Sequence, residues 1–382
     1  MRVSSERILT THVGSLPRSQ AVTDVLFARE RGEVPDARAA RAVIGDAVAE
    51  VVRRQVDTGV DIVSDGETSK ISYATYIADR FAGFGGDTPR EPGQDLVEFP
   101  RFMAKLAASG ATAKYRRPRC VGEIALKDAG PLHEDLGNFR RAVDAARPAE
   151  AFMNAASPGV LALFQPNDYY PTQDAYLEAL GNAMQSEYEA IVAAGFLLQI
   201  DAPDFGMGRH TMYRTASSEE YLTAAARHVE VLNHALRNLP ADRLRMHICW
   251  GNYEGPHHHD IPLEQLLPVV VRARPQALLF EASNPRHAHE WSVFKRQKVP
   301  DDKILIPGVL GTTTNYVEHP ELVAERIQRF ADIVGRERVI AGTDCGFGTF
   351  GGFGPVDPDI VYLKLGSLAE GARIASRRLW KN

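Results

Sequence analysis

Short apolar, β-branched runs alternate with longer amphipathic stretches along almost the whole chain. "RILTTHVGS" precedes a helix expected near 38–57, and "VDIVSDGE" ends in an acidic turn. Further strands are expected at "SPGVLALF", "FLLQIDAP", "LRMHICWGN", "ALLFEASN", "KILIPGVLG" and "RVIAGTDCG", separated by helices near 172–194, 217–237, 262–272, from about 286, 319–335 and 358–378. Runs such as "ILTTHV", "KILIPGV" and "RVIAG" lack the apolar/polar alternation of a sheet with one wet face, so they read as parallel strands covered on both sides. Eight strand–helix alternations predict an α/β fold, a TIM (β/α)8 barrel spanning residues 1–382 as one domain. No G-x-G-x-x-G follows the first strand, which argues against a dinucleotide fold. Residues 78–150 break the rhythm with Gly- and Pro-rich sequence and one extended, partly polar stretch, "KYRRPRCVGEIALKD". They are expected to form an insertion after the second strand, packed on the barrel.

Composition narrows the partners. A net charge of −5 with no basic tract argues against nucleic acid. No apolar run reaches the roughly 18 residues that cross a bilayer, and "MRVSSERILTTHVGS" lacks the apolar core of a signal peptide. A cytoplasmic protein acting on small molecules is the expectation, with a homo-oligomer left open. Three cysteines, Cys120, Cys249 and Cys345, are too few for a disulfide framework; in a reducing compartment they are either small buried hydrophobes or metal and catalytic thiols.

In a TIM barrel the active site lies at the C-terminal ends of the strands. Those ends carry His12 and Ser15, Asp65 and Glu67, Ser157, Asp201 and Asp204, His247 and Cys249, Glu281 and Asn284, Thr312 to Asn315, and Asp344 and Cys345. His247 and Cys249 stand at i and i+2 of a strand, so their side chains share one face and can reach one ion. With Glu281 and Cys345 they offer one nitrogen, one oxygen and two sulfur ligands, a set suited to tetrahedral Zn2+ and not to magnesium or calcium. For Glu281 a salt bridge to Arg286 is the alternative. Arg209, His210 and Arg214, in "DFGMGRHTMYR", are candidates to meet an anionic group on a substrate. His12 could be a catalytic acid or a core histidine, and "PHHHD" at 256–260 reads as a loop or lid, not as a second site.

These motifs, taken together, resemble the catalytic C-terminal barrel of cobalamin-independent methionine synthase, a barrel of the uroporphyrinogen decarboxylase type. In that family the zinc ligands lie in an H-x-C motif, a Glu at the next strand's end and a final Asp-Cys-Gly, matched here by "HIC", "FEASN" and "TDCG". Its thiol substrate is held at a Gly-Ser turn, a Gly-Glu and an "IDEP"-like aspartate. "TTHVGSLPR", "SDGE" and "QIDAP" carry those roles to Ser15, Glu67 and Asp201, with Asp201 also in the catalytic set.

The departures concern the methyl donor. Only one barrel is present, Phe164 stands near the position of a pterin-stacking Trp, Ala202 replaces the "IDEP" glutamate, and "LGTTTN" replaces a loop bearing His. The resemblance implies a zinc-dependent thiol alkyltransferase, of methionine-synthase type, in which coordination strips the proton from a homocysteine-like thiol and the thiolate attacks a methyl or alkyl carbon. The similar epoxyalkane:coenzyme M transferases, which open an epoxide with a small thiol, are the alternative reaction. A non-catalytic zinc- and thiol-binding protein is the alternative of another class.

Overall fold

The computed structural model describes residues 1–34, 36–89, 91–108 and 115–380. Among the described residues ten strands form, in chain order: β1 (Leu9–Thr10), β2 (Ile62–Val63), β3 (Phe84–Gly85), β4 (Arg119–Cys120), β5 (Glu150–Ala156), β6 (Leu197–Asp201), β7 (Leu244–Ile248), β8 (Ala277–Phe280), β9 (Ile304–Pro307) and β10 (Ile340–Ala341). Strands β2, β5, β6, β7, β8 and β9 make one curled sheet, parallel throughout, and β1 pairs with β10, also in parallel. Isolated parallel bridges Thr11–Ile62, Leu305–Val339 and Gly308–Gly342 lie at the junctions between the two sets.

The burial pattern follows from the two-residue period of a strand. Leu198, Ile200, Met246, Leu278 and Leu305 belong to the large core shared with the helices. Their neighbours Leu197, Leu279 and Ile306 join Leu9, Ile62, Phe152 and Ile340 in a second, smaller core on the opposite, concave face. Along β6 and β7 that face continues from Leu197 to Gln199 and Asp201, and from Arg245 to His247. The polar residues are therefore stacked above an apolar floor, at the strands' C-terminal ends. Arg245, fully buried, lies over the Phe152 ring at 3.9 Å and donates to Thr11 Oγ1 and the His12 carbonyl at 3.0 and 2.8 Å.

Helices form at Ala37–Thr58, Gln173–Ala193, Ser218–Ala235, Leu263–Val270, Pro320–Val334 and Pro358–Leu379, where the periodicity expects them. Around 286–296 it overreaches, since only a short turn at Glu290–Ser292 and a four-residue helix at Val293–Arg296 form. The helix at Gln20–Arg31 has no counterpart in the sequence reading.

One strand is corrected. "SPGVLALF" is not a strand: Ser157 caps a helix at Pro158–Phe164 by accepting the Val160 N–H at 2.9 Å, with Pro158 at its first turn. A short apolar run has no periodicity to separate strand from buried helix, and the Ser-Pro pair was the signal that decides. The strand is the preceding "EAFMNAA", β5. In consequence the segment 78–150 contains a regular helix, Gly130–Ala146, before β5, as well as the antiparallel pair β3–β4. Among the described residues no helix is long and apolar enough to cross a membrane.

Candidate active site

His247 in β7, Cys249 just past its end and Cys345 in the loop after β10 come together, with their ligand atoms within 4.8 Å of one another. The two sulfurs are 3.7 Å apart and the cysteines are free thiols. A disulfide would hold them near 2.0 Å. Two thiolates bound to one tetrahedral zinc at ~2.3 Å stand ~3.8 Å apart, so the spacing found fits a shared ion. Both ring nitrogens of His247 are buried and make no hydrogen bond among the described residues. Burial, and then the charge of Arg245, lower its pKa to about 3, which keeps the imidazole neutral and able to ligate. The hydrogen bond with Cys345, reinforced by burial, pushes the Cys249 thiol well up. Crowded acidic groups of this kind are relieved by a divalent cation, and the residues therefore fit zinc.

Glu281 flanks this trio without joining it. Its Oε1 accepts the Trp250 N–H and its Oε2 the Asn284 side-chain amide, both at 2.7 Å. Burial first, and the charge of Cys249 second, raise its pKa well above the usual carboxylate range. No ion pair joins it to Arg286 among the described residues. Asp344 organises the same loop: Oδ1 accepts the N–H groups of Ala282 and Ser283, and Oδ2 accepts the Ser283 hydroxyl at 2.6 Å and the Asn284 N–H at 2.9 Å.

The three sulfur and nitrogen donors open onto a cavity of about 910 Å3 whose walls also carry Ser15, Glu67, Asp201 and Phe164. Glu67 sits at φ 53°, in the left-handed region that non-glycine residues seldom occupy. The turn is held by Asp65, whose Oδ1 accepts the Glu67 N–H at 3.0 Å, and by Arg18, which donates to the Glu67 carbonyl at 2.7 Å. Its carboxylate oxygen Oε2 is buried without a partner. Burial, and next the charge of Asp201, raise its pKa to about 8. Asp201 is raised to about 6, burial outweighing the amides of Asn154 and Gln199 that donate to it at 2.8 Å each. Two buried carboxyls that each resist ionisation are the kind of pair whose charge a nearby cation would stabilise. Ser15 is pressed against the Cys345 loop: its carbonyl accepts the Phe347 N–H at 2.8 Å, and a Cβ on Gly346 would fall 2.0 Å from its hydroxyl oxygen, so any side chain there would displace the Ser15 hydroxyl.

Four expected residues lie elsewhere. His12 is fully buried off the cavity wall, with Nε2 2.6 Å from Gln55 Oε1 and Nδ1 accepting the Gly14 N–H at 3.2 Å. Arg209 donates to the Tyr213 carbonyl at 3.1 Å, and His210 is turned to Asp260, 3.0 Å away. Arg214 pairs with Glu91 at 2.8 Å. Arg209 is held by its own loop and His210 by the 257–260 turn, while Arg214 reaches only Glu91 at the edge of the wall, so none of the three lines the cavity.

Other wall residues escaped the sequence reading. Tyr73 stacks on Phe350 (5.9 Å between centroids, 26°) and meets Phe164 edge-on at 5.4 Å, while Tyr115 lies 5.4 Å from Phe350. Met103, Leu106 and Leu96, from the 78–150 segment, close the same wall. Asn154 was hidden by the misplacement of β5; once that strand is in register, its inward face would have marked it.

Comparison with known proteins agrees with this geometry. The family described as "Cobalamin-independent synthase, Catalytic domain" matches residues 8–90 and 167–352. The chain is 26% identical over 375 residues to a methionine synthase of Saccharolobus solfataricus, covering 97% of this chain and 95% of that protein. It is 22% identical to one of Sulfurisphaera tokodaii, covering 97% and 93%. Among solved structures, a B12-independent methionine synthase from Shewanella sp. W3-18-1 in complex with selenomethionine superposes with TM-score 0.74 at 17% identity, over 98% of this chain and 99% of that one. A putative vitamin-B12-independent methionine synthase from Listeria monocytogenes gives TM-score 0.63 at 18% identity, over 98% and 100%. The chain belongs to the cobalamin-independent synthase catalytic-domain family.

Proposed function

We propose that this protein is a zinc-dependent S-methyltransferase that alkylates homocysteine or a close analogue. The observation that carries the reading is the placement of two free sulfurs 3.7 Å apart and an unpartnered, neutral histidine on the wall that also holds Glu67 and Asp201. His247, Cys249 and Cys345 would hold the metal, with Glu281 as the fourth, displaceable ligand. A zinc ion bound there supplies the positive charge that keeps a substrate thiol ionised at neutral pH.

The remaining work falls to the chain's own side chains. Glu67 and Asp201 receive the substrate ammonium, and its arrival lets Glu67, protonated at neutral pH, release its proton beside the Asp201 carboxylate. Asn154 and Gln199 fix Asp201, while Gln55 and the Gly14 N–H hold His12 as a positioning residue beneath the Ser15 turn. The walls around Tyr73, Phe164 and Phe350 exclude water, which leaves the nucleophile poorly solvated and reactive. Arg116 is the one guanidinium on the cavity wall among the described residues, and it is shared with Glu30 at 3.1 Å. A donor bearing several carboxylates finds little to pair with there, so a neutral or cationic methyl donor fits better than a polyanionic one.

The bridges at Thr11–Ile62, Leu305–Val339 and Gly308–Gly342 support reading the curled sheet as a closed eight-stranded barrel, with residues 78–150 as its insertion within one catalytic unit. Three free cysteines support a reducing, cytoplasmic setting. The names of the relatives favour methyl transfer over epoxide opening.

The test is methionine formation from homocysteine and a panel of methyl donors by the zinc-loaded enzyme, beside coenzyme M with a short epoxide. Product from homocysteine alone supports the reading. Turnover of coenzyme M alone, or tight thiol binding with no turnover of any donor, refutes it.

A further inference from the structure

The histidine run at 257–259 is not part of the cavity, yet it is not idle surface. His257 adopts φ 53° and is held by Asp260, which its Nδ1 approaches at 2.9 Å, and by Asp95, which accepts its backbone N–H at 3.1 Å. That turn sends the next two side chains the same way, so the His258 and His259 rings lie side by side with centroids 4.1 Å apart. Both face Glu98, 160 residues earlier. His258 Nε2 is 2.7 Å from one carboxylate oxygen and His259 Nε2 is 2.5 Å from the other. The three ligand atoms lie within 4.8 Å of one another, and the side chains are 30–42% exposed.

We propose that Glu98, His258 and His259 form a second, peripheral site for a late first-row divalent cation such as Zn2+ or Ni2+. Two imidazole nitrogens and a carboxylate make a donor set that such ions prefer and that Mg2+ and Ca2+ do not. Exposure leaves the remaining coordination positions to water. On binding, the ion takes the place of the two histidine–carboxylate contacts, so it costs no rearrangement of the chain beyond the side chains themselves.

The position gives the site a use. Glu98 lies two residues before the helix Pro100–Ala108, whose Met103, Leu106 and Ala107 line the cavity. His258 and His259 follow Gly251, Asn252 and Tyr253, which line it from the loop after Cys249. An ion at the site clasps these two walls together and steadies the cover over the cavity.

The experiment is equilibrium dialysis of tag-free protein against increasing Zn2+, with metal counted per chain. Wild type is expected to take up two equivalents, the second more weakly. His258→Ala/His259→Ala should saturate at one, and Glu98→Gln should bind the second at least tenfold more weakly. Cys249→Ser/Cys345→Ser should keep the peripheral equivalent, which separates this site from the buried one. Saturation of wild type at one equivalent, or two retained by the double histidine variant, overturns the proposal. Hydrogen exchange over residues 94–108 should slow when the second equivalent binds. Unchanged exchange overturns the clasp. Glu98 and His258 are exposed and His259 is half-buried, and matching thermal midpoints in metal-free buffer confirm that all the variants fold.

Discussion

Replacing Glu67 by Gln removes a buried carboxylate while keeping its shape and backbone conformation. In the folded protein its pKa stands at about 8 against an ordinary 4.5, chiefly through burial and secondarily through the charge of Asp201. The folded state therefore holds a proton that the unfolded chain has released. The stability this group contributes is full below pH 4.5 and is lost as pH rises towards 8. The ideal slope is about 1.4 kcal/mol per pH unit, but Asp201 shares the titration and Lys70 and Arg18 oppose the shift, which reduces it. Between pH 5 and pH 7 wild type should lose roughly 2 kcal/mol relative to Glu67→Gln. Urea denaturation of both proteins at pH 5, 6, 7 and 8, at constant metal, measures it. The variant should gain on wild type across this range while losing affinity for the thiol substrate. A gap that stays flat with pH, or closes as pH rises, would show an ordinary solvated carboxylate and refute the receptor argument.

Serine at Cys249 or Cys345 should lower zinc retention at least a hundredfold, read by metal analysis after dialysis against a weak chelator, because a hydroxyl does not ionise to replace a thiolate. Asp344→Asn leaves the ligands in place but converts one oxygen that accepts from backbone amides into a donor, so about a 10–100-fold loss of metal affinity is expected in the same assay; unchanged affinity would mean the 281–284 loop does not depend on it. Tyr73→Ala opens the stack between Phe350 and Phe164 and should raise KM for the methyl donor while leaving that for the thiol within twofold, because the thiol is placed at the Glu67–Asp201 side; a change confined to the thiol would show that the aromatic stack holds the thiol instead.

The chemistry was more legible than the architecture that holds it. His247 and Cys249 declare themselves because a strand repeats every two residues, and Cys345 because it ends another strand in the same class of position. Glu67 and Asp201 were found by motif; their mutual proximity and high pKa values depend on a strand register no local sequence displays. Phe164 was named as a strand residue and lines the cavity from a helix, since "SPGVLALF" carries no periodicity strong enough to choose. Arg209 and His210 were chosen as free charged groups, whereas their partners, Tyr213 and Asp260, lie 4 and 50 residues further along. Glu98 is the extreme case. The histidine run is plain to see, but the carboxylate that completes it lies 160 residues away in a segment with no regular pattern.

The central claim is that the buried metal receives a substrate sulfur. Zinc-edge X-ray absorption on the enzyme, alone and then with homocysteine, counts sulfur neighbours directly, and the His258→Ala/His259→Ala variant confines the signal to the buried ion. Two sulfurs rising to three on addition of homocysteine is the expected result. Two sulfurs that never change, or an ion without sulfur neighbours, would contradict the account.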